Sequence, residues 1–191
     1  MSKSPIATEE LYSHLCRALS GAQPDSAAWT PSDWERFTRL AQAESVAPQL
    51  YAIWRQAGFP ADLPAAQQAR FAQAYFQSAG RSVVYRTELE KISSLFAQAG
   101  IDCLALKGAA LAGTLYPDPA TRPMSDLDLL LRPQHLRRAL TLLRQAGYSL
   151  ENFTYHALLW GPVFVELHWS LPYPQGARRQ PPGGLFNHQR F

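Results

Sequence analysis

Asp126 and Asp128 stand two residues apart in the run Arg122-Pro123-Met124-Ser125-Asp126-Leu127-Asp128-Leu129-Leu130-Leu131. Successive side chains of a strand point to opposite faces, so both carboxylates would project on one side and Leu127, Leu129 and Leu131 on the other. With the leucines burying their face, a divalent cation is the least costly way to hold two neighbouring anions, and carboxylate oxygens are the ligands Mg²⁺ prefers. The run Phe164-Val165-Glu166-Leu167-His168-Trp169 alternates in the same way, with Glu166 and His168 on one face and Val165 and Leu167 on the other. If that strand lies beside the first, Glu166 becomes a third acidic ligand. Three carboxylates can hold two metals that activate a hydroxyl and stabilise a leaving pyrophosphate in an in-line displacement.

Upstream, Lys107-Gly108 falls where a strand is expected to pass into a helix, so backbone N–H groups at the helix start can meet a triphosphate. Gly108 lets the backbone approach closely and Lys107 adds charge; taken alone, the pair reads more readily as an ordinary helix start. Arg122 can hold a phosphate oxygen or pair with an Asp. Glu166 stays open between a third ligand and a solvated strand residue, whereas His168 reads more as a hydrogen-bonded structural residue than as a proton-accepting base. His14, His135, His156 and His188 show no ligand spacing and read as surface or core residues. Arg137-Arg138 reads as a solvated helix face.

The elements that must position these groups follow from periodicity. Thr8 before Glu9-Glu10 reads as an N-cap, with Leu11, Leu15 and Leu19 at helical spacing up to Gly21. Ser32-Asp33-Trp34-Glu35 has capping-box spacing, with Trp34, Phe37 and Leu40 on one face. A third helix holds Leu50, Ile53 and Trp54. From Pro64 the pattern Phe71, Tyr75, Val83 or Val84, Leu89, Ile92, Leu95 and Phe96 predicts one long helix, or two meeting near Gly80, ending at Gly100. Trp34, Trp54, Tyr75 and Phe96 read as core. Ile101 to Leu106 predicts a buried strand, with a small-residue helix from Lys107-Gly108 to Gly113. Leu127 to Leu131 is a second strand, and Pro133 opens a helix through Leu136, Leu140 and Leu143 to Gly147. Phe153–Trp160 and Val163–Trp169, joined at Gly161-Pro162, predict a hairpin.

The chain has 191 residues, 47% of them apolar and 17% charged, which is globular composition. No stretch approaches the roughly 18 uninterrupted apolar residues of a membrane helix, so no membrane partner is expected. Met1-Ser2-Lys3-Ser4-Pro5-Ile6 leads into Glu9 and Glu10 instead of an apolar signal core, and a cytoplasmic location is the expectation. Cys16 and Cys103 lack Cys or His at metal-ligand spacing and read as reduced, partly buried thiols. The net charge of +3 is spread along the chain, compatible with a phosphate-bearing ligand but too weak to mark a DNA-binding surface.

Taken in order, Leu106-Lys107-Gly108-Ala109-Ala110-Leu111, Leu115-Tyr116-Pro117-Asp118-Pro119, Arg122 to Leu130 and Val165-Glu166-Leu167-His168-Trp169 resemble the bacterial uncharacterised nucleotidyltransferase family of the DNA polymerase β-like superfamily. The likeness is detailed over roughly Leu89 to Leu171; the helical N-terminal half is similar in character only. It implies an α+β fold, with a helical N-terminal region (1–99) packed on a small mixed-sheet nucleotidyltransferase core (100–171) with flanking helices, followed by an irregular tail (172–191). It implies Mg²⁺, or Mn²⁺, held by Asp126, Asp128 and Glu166 as the catalytic acids. Nucleotide contacts are implied at Lys107 and Gly108, with Arg122 and Ser125 counted beside them. The expected activity transfers a nucleoside monophosphate from an NTP, ATP being expected, to an acceptor the sequence does not identify.

Two departures stand out: Ala109 replaces a second Gly or Ser, and family members continue with a further C-terminal region that would help wall the cleft. The tail is therefore expected to be a shortened form of that region, or a partner is expected to build the wall. Two other readings compete. One is a non-catalytic nucleotide- or partner-binding protein of the same fold. The other is a nucleotide-sugar glycosyltransferase using Asp126-Leu127-Asp128, which would need a nucleotide-binding parallel sheet before the motif.

Overall fold

The computed structural model describes residues 6–153 and 156–170, so the expected tail at 172–191 lies outside the described residues. The fold is mixed α+β, with six α-helices and one five-stranded mixed sheet among the described residues. The chain divides into a helical unit, Met1–Ser82 with Tyr116–Pro123, and a sheet unit, Val83–Leu115 with Met124–Phe191.

The helical unit contains α1 (Thr8–Leu19), α2 (Pro31–Ala43), α3 (Ala47–Ala57) and the first part of the long helix α4 (Ala65–Gln98). Leu11 and Leu15 of α1, Trp34 and Phe37 of α2, Leu50 and Trp54 of α3 and Phe71 of α4 form its buried core. Their ring edges interlock, with Trp34 and Phe37 centroids 5.8 Å apart and Trp54 and Phe71 5.0 Å apart. Both helix starts differ from expectation. Thr8 is the first helical residue of α1, and Ala7 before it caps without a side-chain bond. The capping box of α2 is Thr30 with Asp33, because Pro31, which has no N–H to donate, takes the first helical position and moves the cap one residue before it.

The sheet unit takes the second part of α4 and adds β1 (Cys103–Ala105), α5 (Lys107–Thr114), β2 (Leu127–Leu131), α6 (Leu136–Gln145), β3 (Ser149–Phe153), β4 (Ala157–Trp160) and β5 (Phe164–His168). The strand order is β1-β2-β5-β4-β3. Only the β2–β5 pair is parallel; the other three are antiparallel. Pro133 opens a single 3₁₀ turn, Pro133–His135, ahead of α6. The expected Phe153–Trp160 strand is shorter, β4 covering Ala157–Trp160 with the apolar alternation, and β3 ahead of it was not expected: it is an edge strand with four of its five residues exposed, so no buried period marks it. The first strand is also shorter than Ile101–Leu106, covering Cys103–Ala105 alone.

Leu127, Leu129, Leu131, Val165, Leu167, Ala157 and Leu159 join Ile92 and Phe96 of α4 and Ala139 and Leu143 of α6 in one buried cluster. α4 is one unbroken helix through Gly80, and Val83 and Val84 on it are exposed instead of buried. Its second part is tied into the sheet unit by Glu88, a buried acid that accepts from the Tyr148 hydroxyl at 2.8 Å and from Lys91 at 3.1 Å. Burial and that bond together hold the Tyr148 hydroxyl protonated well above the usual tyrosine range. The Tyr148 ring lies over Gly161, where a Cβ would come within 2.4 Å of it. Neither cysteine is bridged; Cys16 is exposed instead of partly buried, and burial pushes the Cys103 thiol up to about 12. Among the described residues, no helix is long and apolar enough to cross a membrane.

Candidate metal centre

One face of the central strands is apolar core, and the opposite face carries the polar groups. In β5 the burial alternates, with Val165 and Leu167 fully buried and Phe164, Glu166 and His168 half-buried. The parallel register sets Asp128 directly beside Glu166 and Leu130 beside His168. Asp126 stands one residue before β2, where Ser125 Oγ donates to its Oδ1 at 3.1 Å. Asp126, Asp128 and Glu166 each offer a ligand atom within 4.8 Å of the others. That donor set, three hard oxygens gathered from β2, the residue just before it and β5, fits a Mg²⁺- or Mn²⁺-class ion.

Asp128 is only 2% exposed, and two donors converge on its Oδ1: Lys107 Nζ at 2.7 Å and His168 Nε2 at 2.8 Å. His168 Nε2 also lies 3.4 Å from Glu166 Oε2. One lysine stands against three acids, an excess of acidic groups that a divalent cation would balance. The hydrogen bond to Asp128 does most to raise the Lys107 pKa above the usual lysine value; partial burial opposes the rise, and the charges of Asp128, Glu166 and Asp126 add to it. Lys107 therefore stays cationic at neutral pH.

Lys107 reaches Asp128 from an unusual backbone. At φ 45° it is one of two non-glycine residues with positive φ among the described residues, and it stands at the first position of α5. Such a conformation costs on the order of 1 kcal/mol or more and persists where the surroundings fix it. Here the fixing comes from the Leu106 N–H, which donates to the Asp128 carbonyl at 2.8 Å, and from the side-chain bond to the same residue. Gly108 has a packing reason beyond close backbone approach: a Cβ there would lie 3.0 Å from Met124 Cγ. Ala109 is a partly buried residue against the sheet-unit core.

The structure thus brings Lys107, Asp126, Asp128, Glu166 and His168 together and sets Ser125 on Asp126. Arg122 belongs to the helical unit, where its guanidinium donates to the Pro123 carbonyl at 2.9 Å. Sequence reasoning missed His156, which groups with Glu166 and His168 as three residues whose ligand atoms lie within 4.8 Å of one another. The expected two-residue loop at Gly161-Pro162 would set residue 156 opposite Leu167; the structure instead pairs Ala157 with Leu167, so residue 156 falls opposite residue 168.

The mixed sheet thus brings together, beside a strand-to-helix turn, three carboxylates that could hold a metal ion. The chain belongs to the uncharacterised nucleotidyltransferase family, whose family model matches residues 30–190. Neither a curated protein nor a solved structure matches it.

Proposed function

We propose that the protein is a Mg²⁺-dependent nucleotidyltransferase that moves a nucleoside monophosphate from an NTP, with ATP the expected donor, to an acceptor hydroxyl. The observation that carries the reading is the Asp128–Glu166 register with Asp126 alongside, in a chain of nucleotidyltransferase family. A divalent cation held by these oxygens would neutralise triphosphate charge and ease ionisation of the attacking hydroxyl. The remaining work falls to this chain's own groups. Asp128, deepest of the three, is fixed by Lys107 and His168, so its carboxylate is oriented before any ligand arrives. The Lys107 side chain is 62% exposed despite its bond, which leaves it free to exchange Asp128 for a phosphate oxygen at little desolvation cost. Ser125 holds Asp126 to one orientation.

The sugar-nucleotide reading loses support, because among the described residues only the three-residue β1 precedes β2 in the sheet and it pairs antiparallel. Incubation with α-phosphate-labelled ATP and a cell lysate tests the proposal. Label should pass to an acceptor in the presence of Mg²⁺ and fail to pass with Asp126→Asn or Asp128→Asn. Absence of label transfer from all four NTPs would leave the non-catalytic reading standing, and label arriving only from a sugar nucleotide would restore the glycosyltransferase.

A further inference from the structure

We propose a second cation site, formed by His156, Glu166 and His168 and suited to a borderline transition ion of the Zn²⁺ class, that shares Glu166 with the three acids. The ligand atoms of the three residues lie within 4.8 Å of one another and all three side chains are half-buried, so an ion can reach them. The His156 and His168 rings stand 5.6 Å apart at 47°. Register is what brings them together. His156 lies one step beyond the Ala157–Leu167 pair, and Leu158 pairs with Glu166, so residues 156, 166 and 168 share the polar face while Ala157, Leu159, Val165 and Leu167 are buried on the other.

The donor types separate this site from its neighbour. Two neutral imidazoles with one carboxylate favour Zn²⁺ and its relatives over Mg²⁺, whereas Asp126 and Asp128 offer only hard oxygen. Three protein ligands leave a fourth position for water, as open zinc sites do.

The two sites compete. Glu166 is common to both, and His168 Nε2 lies 2.8 Å from Asp128 Oδ1 and 3.4 Å from Glu166 Oε2, so an ion held through that nitrogen would take it away from Asp128. Zn²⁺ binding should therefore suppress the Mg²⁺-dependent transfer. This consequence rests on the proposed function; the binding itself does not.

Titration of the untagged full-length protein with Zn²⁺, followed by calorimetry, and with Co²⁺, followed by visible absorption, tests the site. One equivalent should bind. Losing an outer-shell partner of a metal ligand already costs ~10–100-fold in affinity, so His156→Gln and His168→Gln, which remove ligands outright, should each weaken binding by at least ~10-fold. Asp126→Asn and His188→Gln should bind as the parent does. In case the glutamine variants fold poorly by circular dichroism, His156→Cys supplies a second reading: its Co²⁺ complex should gain a thiolate charge-transfer band that the parent lacks. No saturable Zn²⁺ binding, unaltered binding in a folded His156→Gln, a matching loss in Asp126→Asn, or no new band in His156→Cys would each overturn the site. If Zn²⁺ binds as described while no NTP label is ever transferred, the nucleotidyltransferase reading fails and this one stands.

Discussion

The helical and sheet units each bury one carboxylate to the same depth, 2% exposed, and treat it in opposite ways. Asp33 in the helical unit is saturated by local donors. It accepts from the Thr30 N–H at 3.0 Å, the Thr30 hydroxyl at 2.6 Å and the Ile6 N–H at 3.2 Å, with Arg36 3.8 Å away. These bonds, the Thr30 hydroxyl foremost, hold its carboxyl below the usual range against the opposing effect of burial. Asp128 receives no capping N–H at its side chain; it is held by a half-exposed lysine and a histidine and shares its face with two more acids. An acid whose donors are backbone and neighbouring side chains is a structural cap, whereas one placed among like charges and exchangeable partners is suited to a ligand.

The largest effect that could break this comparison is on turnover. Asp128→Asn should lower nucleotidyl transfer by ~10³-fold or more, since metal-borne charge stabilisation is worth several kcal/mol. Its thermal midpoint should stay near that of the parent, because the change also relieves repulsion from Asp126 and Glu166. A variant that melts early would instead make Asp128 a structural residue like Asp33.

The counterpart is Asp33→Ala, which should cost about 2 kcal/mol by stripping the cap and leaving the Thr30 and Ile6 N–H groups unpaired. Calorimetry should show a midpoint lower by ~4–8 °C for a chain of this size. Transfer measured below that midpoint should be unchanged; a loss of activity there would erase the distinction.

The smallest effect is in pH dependence, where Asp33 and Lys107, the partner of Asp128, should diverge in sign. The lowered Asp33 pKa contributes stability that is present above the unfolded carboxylate value and lost as pH falls through the lower folded value. The raised Lys107 pKa contributes stability that is fully present below the unfolded lysine value and lost as pH rises through the higher folded value. Denaturant midpoints should accordingly separate Thr30→Ala from the parent at neutral pH and converge with it in acid. Lys107→Met should differ from the parent at neutral pH and converge only in strong alkali. Convergence at the opposite ends would contradict both assignments.

How far these features could be read from sequence depends on the range of the interaction. β2 was legible because Leu127, Leu129 and Leu131 alternate with Asp128 and Leu130 in an uninterrupted run. The core aromatics Trp34, Trp54 and Phe96 were legible because helical spacing puts them on one face. The Thr30 cap was misread as Ser32 because the Ser-x-x-Glu spacing matched and Pro31 was not counted as the first helical residue. β3 was hidden because an exposed edge strand carries no apolar period. The Lys107–Asp128 bond spans 21 residues and the Tyr148–Glu88 bond 60, and neither leaves a local pattern; both need the sheet to be assembled first. His156 was hidden, because pairing the expected hairpin about Gly161-Pro162 sets it opposite Leu167; only the three-residue loop 161–163, which pairs Trp160 with Phe164, brings it opposite residue 168.

The central claim, that Asp126, Asp128 and Glu166 hold a divalent cation together with nucleotide, is tested most directly by Mn²⁺ binding followed by electron paramagnetic resonance, with and without ATP. The parent should bind Mn²⁺ and bind it more tightly when ATP is present, and Asp126→Asn combined with Asp128→Asn should abolish both effects. Equal Mn²⁺ and ATP binding by the parent and the folded double variant would contradict the account.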